Sequence, residues 1–123
     1  MSKFSIKDRL LSFKHAFDGL SVLVKAEHNA WIHLAISIVA IALGFYFEIS
    51  NTEWITIIIC IGMVVSAEIF NTAIEHIANF IQPNHDERIK YIKDLGAAGV
   101  FISALTAFTV GLIIYLPKIM SLL

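Results

Sequence analysis

From Leu95 to Pro117 no side chain carries a formal charge, and two other long apolar runs precede that one. Between Glu27 and Glu48 the only groups that titrate near neutral pH are His28 and His33. Trp54 to Ala67 is again uncharged, and helical spacing carries that segment on through Glu75. A helix needs about 20 residues to cross a bilayer. The first and third runs meet that length outright, and the second meets it once Glu68 is allowed inside the membrane. Three such runs in 123 residues leave space for little else. The expected fold is therefore an all-α membrane protein in a single domain, with transmembrane helices at about 29–48, 54–79 and 95–117.

Composition agrees. Hydrophobic residues make up 58% of the chain and charged ones 15%, with mean hydropathy +0.78. Soluble domains carry about 25% charged residues. A water-soluble chain this short exposes too much surface for so few charges to cover. The net charge of −1 gives no electrostatic footing for a nucleic-acid partner. Cys60 is the only cysteine, which excludes an intrachain disulfide and a cysteine-rich metal site, and its mid-span position marks it as a packing residue.

The first 26 residues need a different reading. Lys3, Lys7 and Arg9 precede an apolar stretch, as in a signal peptide, but Lys14, His15 and Asp18 interrupt it and no small-residue cleavage site follows. The segment is expected to stay on the mature protein. Over 4–26, Phe4, Leu11, Phe13, Phe17, Leu20 and Val24 alternate at helical spacing with Lys7, Asp8, Lys14, Asp18 and Lys25. That pattern predicts an amphipathic helix lying in the membrane interface.

Basic residues set the orientation. Five lie in the N-terminal arm, and Arg88, Lys90 and Lys93 lie in an expected loop over 80–93 that Pro83 and Asn84 mark as a turn. The loop at 48–53 has none, and the C-terminal tail has Lys118. The N-terminus and second loop are thus expected on the cytoplasmic side. Trp31, Trp54 and Tyr115 fall near span ends, as interfacial aromatics do. In the third span Gly99, Ser103, Ala107 and Gly111 recur every four residues, a spacing that lets helices approach closely in lipid and suggests an oligomer.

Chemistry concentrates in Glu68-Ile69-Phe70-Asn71-Thr72-Ala73-Ile74-Glu75. Glu68, Asn71, Thr72 and Glu75 stand at i, i+3, i+4 and i+7 and share one helix face. A carboxylate inside the bilayer costs at least about 2.5–3.5 kcal/mol, so each must meet a cation, a proton or water. A helix entering at Trp54 emerges near Ile74, which puts Glu75 at the cytoplasmic interface and Glu68 about 10 Å deeper. Such a face spans from aqueous nucleotide to the depth of a lipid hydroxyl. On a phosphoryl-transfer reading, Glu27 and Glu75 supply the one or two carboxylates that Mg²⁺ prefers, Lys93 meets phosphate, and Glu68 is the base. A proton- or ion-coupled transporter using Glu68 and Glu75 fits the same residues. No G-x-x-x-x-G-K loop or soluble-kinase signature is present. His33 reads as a hydrogen-bonded packing residue, and no histidine pair has zinc-motif spacing.

The Glu68–Glu75 stretch resembles the E-[IL]-[LIF]-N-[ST]-A-I-E signature of the prokaryotic diacylglycerol kinase and undecaprenol kinase family. Lys93-Asp94-Leu95-Gly96-Ala97-Ala98 resembles the family's K-D-[MA]-[GA]-[SA]-[AG] segment at the matching separation, and Glu27 matches the glutamate that closes its interfacial helix. The resemblance covers essentially the whole chain. It implies an ATP-dependent lipid kinase of a bacterial cytoplasmic membrane, a homotrimer whose active sites are shared between neighbours, and Mg²⁺–ATP as donor. By the same resemblance Glu27 and Glu75 are metal ligands, Glu68 is the catalytic base, and Arg9, His15, Glu27, Asn71, Glu75, Lys93 and Asp94 contact nucleotide. Three departures stand out: Asp8 aligns with the family's N-terminal arginine, leaving Arg9 or Lys7 to replace it, Asn79 occupies a common aspartate position, and Ala97 that of a serine in the diacylglycerol enzymes. Glu27-His28-Asn29, His33 and Glu53-Trp54 resemble the undecaprenol branch more closely, so the acceptor is expected to be undecaprenol ahead of diacylglycerol.

Overall fold

A computed structural model describes residues 3–123 as four helices: α1 Ile6–Ala26, α2 His28–Tyr46, α3 Asn51–Ile81 and α4 Glu87–Met120. There is no strand among the described residues. Three of the helices, α2, α3 and α4, are long and apolar enough to cross a membrane. Large apolar side chains such as Ile38, Ile58, Phe101 and Ile113 face outward along them, the arrangement expected where lipid is the solvent.

Each break has a local cause. Ser5 caps α1 by accepting from the Asp8 N–H at 3.4 Å. The chain then kinks at one residue, Glu27, whose extended backbone (φ −123°, ψ 115°) ends α1 and starts α2. Trp31 Nε1 donates across this corner to the Val24 carbonyl at 2.9 Å. A residue expected only to mark the interface therefore also fixes where α1 leaves α2.

The turn between α2 and α3 takes four residues. Ile49 N–H bonds back to Gly44 O at 3.2 Å and Glu48 N–H to Phe45 O at 3.3 Å, which is a Schellman ending with Glu48 in the left-handed region at φ 50°. Ser50 then opens α3 with a capping box, paired reciprocally with Glu53. At the other end Asp86 caps α4 through the Arg88 N–H at 2.9 Å, and the Arg88 guanidinium beside it holds the Asp86 carboxyl down to about 2.

Two expectations shift. α3 and α4 begin outside the apolar runs, because their caps lie in the polar flanks, α3 at Asn51 and α4 already at Glu87, while α2 ends at Tyr46, short of the expected 48. Arg88, Lys90 and Lys93, expected in a loop, therefore stand on α4. The small-residue stripe, expected to serve contact between copies, makes no close approach within the chain at either of its glycines. A Cβ added at Gly99 or Gly111 meets nothing within 4 Å, whereas one at Gly96 would lie 2.5 Å from Asn71 Oδ1 and one at Gly44 2.6 Å from the Trp54 ring.

The most extensive packing joins α3 to α4. At the end near the 47–50 turn, Ile49, Ile57, Ile114 and Tyr115 form an apolar core with Leu43, Phe47 and Trp54 around it. Tyr115 Oη donates to Ala40 O at 2.6 Å and Lys118 Nζ meets Glu53 Oε2 at 3.0 Å, tying α4 to α2 and α3. The opposite end of the bundle is left to the carboxylates.

Candidate functional site

One stripe of α3 builds both ends. Ile57, Cys60, Val64, Glu68, Asn71, Thr72 and Ala78 are its buried positions, at steps of mostly three and four, with Glu75 half-buried among them. Below Glu68 the stripe is apolar and stabilises by burial. From Glu68 upward it is polar, and polar groups at such depth need partners. Glu68 is 3% exposed, Thr72 5% and Asn71 8%.

Their partners are incomplete. Glu68 Oε1, Asn71 Oδ1 and Thr72 Oγ1 are all buried with no hydrogen bond. His33 Nε2, on α2, comes within 3.0 Å of Glu68 Oε1. The ring therefore lies close against Oε1 without satisfying it as a hydrogen-bond acceptor. The sequence placed His33 among packing residues because nothing local links it to Glu68, which lies 35 positions away on another helix.

Asn71 Nδ2 donates to Glu75 Oε1 at 3.3 Å and so orients that carboxylate. Its own Oδ1 occupies the space that a side chain at position 96 would need, which ties Gly96 of α4 to the site. Glu27 arrives from the α1–α2 corner beside Glu75. Burial, then the Glu75 carboxylate, push the Glu27 carboxyl above its ordinary value, with Glu68 adding to the effect. Thr72 lies close enough to oppose this slightly, though its Oγ1 does not reach hydrogen-bond geometry. Two carboxylates in mutual contact form a donor set that suits a divalent cation also held by phosphate oxygens.

The other expected residues are placed less closely. Lys93 Nζ bonds Asn79 Oδ1, joining α4 to the upper end of α3 at the position where the resembling sequences often carry aspartate. Asp94 pairs with Lys90 at 2.7 Å on an exposed face of α4. Lys93 and Asp94 both line a polar recess of about 230 Å³ under the 82–86 turn. Arg9 and His15 stand on exposed faces of α1, about 27 and 18 Å along the helix from Glu27. Neither forms an ion pair with Glu27, Glu68 or Glu75 among the described residues. On the far side of His33 an apolar groove of about 390 Å³ runs between α2, α3 and α4 toward Tyr115.

Three apolar spans with a cluster of acidic groups inside one end define a helical membrane protein with an intramembrane acid site. The sequence profile of prokaryotic diacylglycerol kinases matches residues 14–115. An undecaprenol kinase of Bacillus subtilis (strain 168) is 37% identical over 108 residues, which cover 88% of each chain. A diacylglycerol kinase of Synechocystis sp. (strain ATCC 27184 / PCC 6803 / Kazusa) is 27% identical over 117 residues, 93% of this chain and 66% of that protein. This chain belongs to the prokaryotic diacylglycerol kinase family. It is a bacterial membrane lipid kinase, and the transporter reading of its carboxylates gives way to a transferase.

Proposed function

We propose that the chain transfers the γ-phosphate of ATP to the hydroxyl of undecaprenol at the cytoplasmic face of the inner membrane. The observation that carries the choice of lipid is the 37% identity to an undecaprenol kinase, sustained across 88% of both chains. Five basic residues in the N-terminal arm and the three at 88–93 support a cytoplasmic placement for the Glu27–Glu75 end of the bundle.

Residue roles follow from depth and contact. Glu68, buried with Oε1 free of a hydrogen bond, takes the proton of the lipid hydroxyl. The hydroxyl oxygen bonds to the γ-phosphorus as the bond to the β–γ bridging oxygen breaks, and ADP leaves. Glu27 and Glu75 would hold Mg²⁺, which would neutralise phosphate charge when bound. Asn71 keeps Glu75 turned toward Glu27. Lys93 and Asp94, at the polar recess, contact the nucleotide. Arg9 and His15 complete those contacts from the α1 of a neighbouring subunit in a homotrimer.

Purified protein in mixed micelles, given labelled ATP, Mg²⁺ and either lipid, tests this. Labelled undecaprenyl phosphate should form several-fold faster than phosphatidic acid at equal lipid fraction. Faster turnover of diacylglycerol would reverse the assignment of the acceptor.

A further inference from the structure

We infer that His33 is a positioning residue for the phosphoryl-transfer step, holding the Glu68 carboxylate in the orientation that accepts the lipid proton. The inference rests on Glu68 acting as the base. Three observations carry it. His33 Nε2 lies 3.0 Å from Glu68 Oε1. Glu68 is 3% exposed, and its Oε1 has no hydrogen-bond partner among the described residues. The His33 ring also lines the apolar groove, so it stands between the carboxylate and the hydrocarbon-lined space.

The physical reason is the cost of an unsupported charge. A buried carboxylate without a donor is strongly disfavoured, and a single N–H beside it reduces that cost. The imidazole must carry its proton on Nε2 to do so, because a lone pair on that nitrogen would repel Oε1. The ring lies 3.0 Å from Oε1 without satisfying it, so that oxygen keeps capacity to accept. The remaining lone pairs stay available to an alcohol approaching from the membrane.

A residue that places a base should affect turnover and leave nucleotide binding alone. Misplacement of a reacting group by about 1 Å costs on the order of 100-fold. His33→Phe keeps an aromatic ring against the groove and removes the donor. It should lower kcat by roughly 10–100-fold while KM for Mg²⁺–ATP changes less than about twofold. His33→Gln sets an amide N–H near the lost Nε2 and should recover most of the rate. Helix content by circular dichroism and particle size in detergent should match the parent for both variants. A rate for His33→Phe within about twofold of the parent, or an equal loss in the Phe and Gln variants, would overturn the inference. Glu68→Gln, measured alongside, separates it from the reading beneath it. That variant should lose about 10²–10⁴-fold in kcat, and near-normal turnover would remove the base assignment itself, whatever His33 does.

Discussion

The carboxyl of Glu27 sits at the one non-helical residue between α1 and α2, beside Glu75, and this neighbour governs how its charge behaves. Burial and the Glu75 carboxylate raise it above the usual glutamate value of 4.5. The sign for stability follows. A group whose folded value is raised favours the fold while protonated, so its contribution is full below the ordinary glutamate range and is lost as pH rises through the raised value. Metal-free protein should therefore become less stable as pH climbs from mildly acid to neutral. Glu27→Gln, which does not titrate, should flatten that decline and melt higher than the parent at neutral pH with a chelator present. Mg²⁺ should stabilise the parent and not the variant. Thermal unfolding in detergent across pH checks this, and parallel melting of the two proteins would count against the carboxylate pair. The spacing of Glu68, Asn71, Thr72 and Glu75 was legible because a helix repeats every 3.6 residues. The link from Asn71 to Gly96 was not, because it crosses from α3 to α4.

Between elements, the turns decide how the spans meet. Glu48 takes a left-handed conformation that glycine adopts without cost and other L-residues at roughly 1–2 kcal/mol. Glycine loses more chain entropy on folding, by about 0.5–1 kcal/mol. Glu48→Gly should thus stabilise the protein by about 1 kcal/mol or less, seen as a small rise in Tm without change in activity. A fall in Tm would mean that the Glu48 side chain makes a contact worth more than its backbone strain. The Pro83-Asn84 turn and the Ser50 cap could be read from residue type, since proline restricts the chain and serine bonds orphan amides. The extension of α4 back to Glu87 could not be read from hydropathy, because its first two turns are polar and held by the Asp86 cap.

At the scale of the whole molecule, one chain leaves much of its apolar surface uncovered. The stripe of Gly99, Ser103, Ala107 and Gly111 runs along α4, and Gly99 and Gly111 have open space where side chains would project. Close helix approach in lipid uses such residues. We propose a homotrimer in which neighbouring subunits complete one another's sites, with Arg9 and His15 reaching the nucleotide from the next subunit. Native mass measurement or cross-linking in mild detergent should give three copies. Mixing Glu68→Gln subunits with Arg9→Ala subunits should restore activity above either alone. A fully active monomer would refute the shared site.

The number of spans and the acidic face of α3 were determined by sequence alone, because lipid demands long apolar helices and penalises every unneeded charge. The family signature likewise lies in two short segments, each continuous in the chain. Only the tertiary structure brought His33 to Glu68 and Gly96 to Asn71. Those pairings join different helices, and periodicity within one helix fixes which face a residue occupies but not which neighbour that face meets.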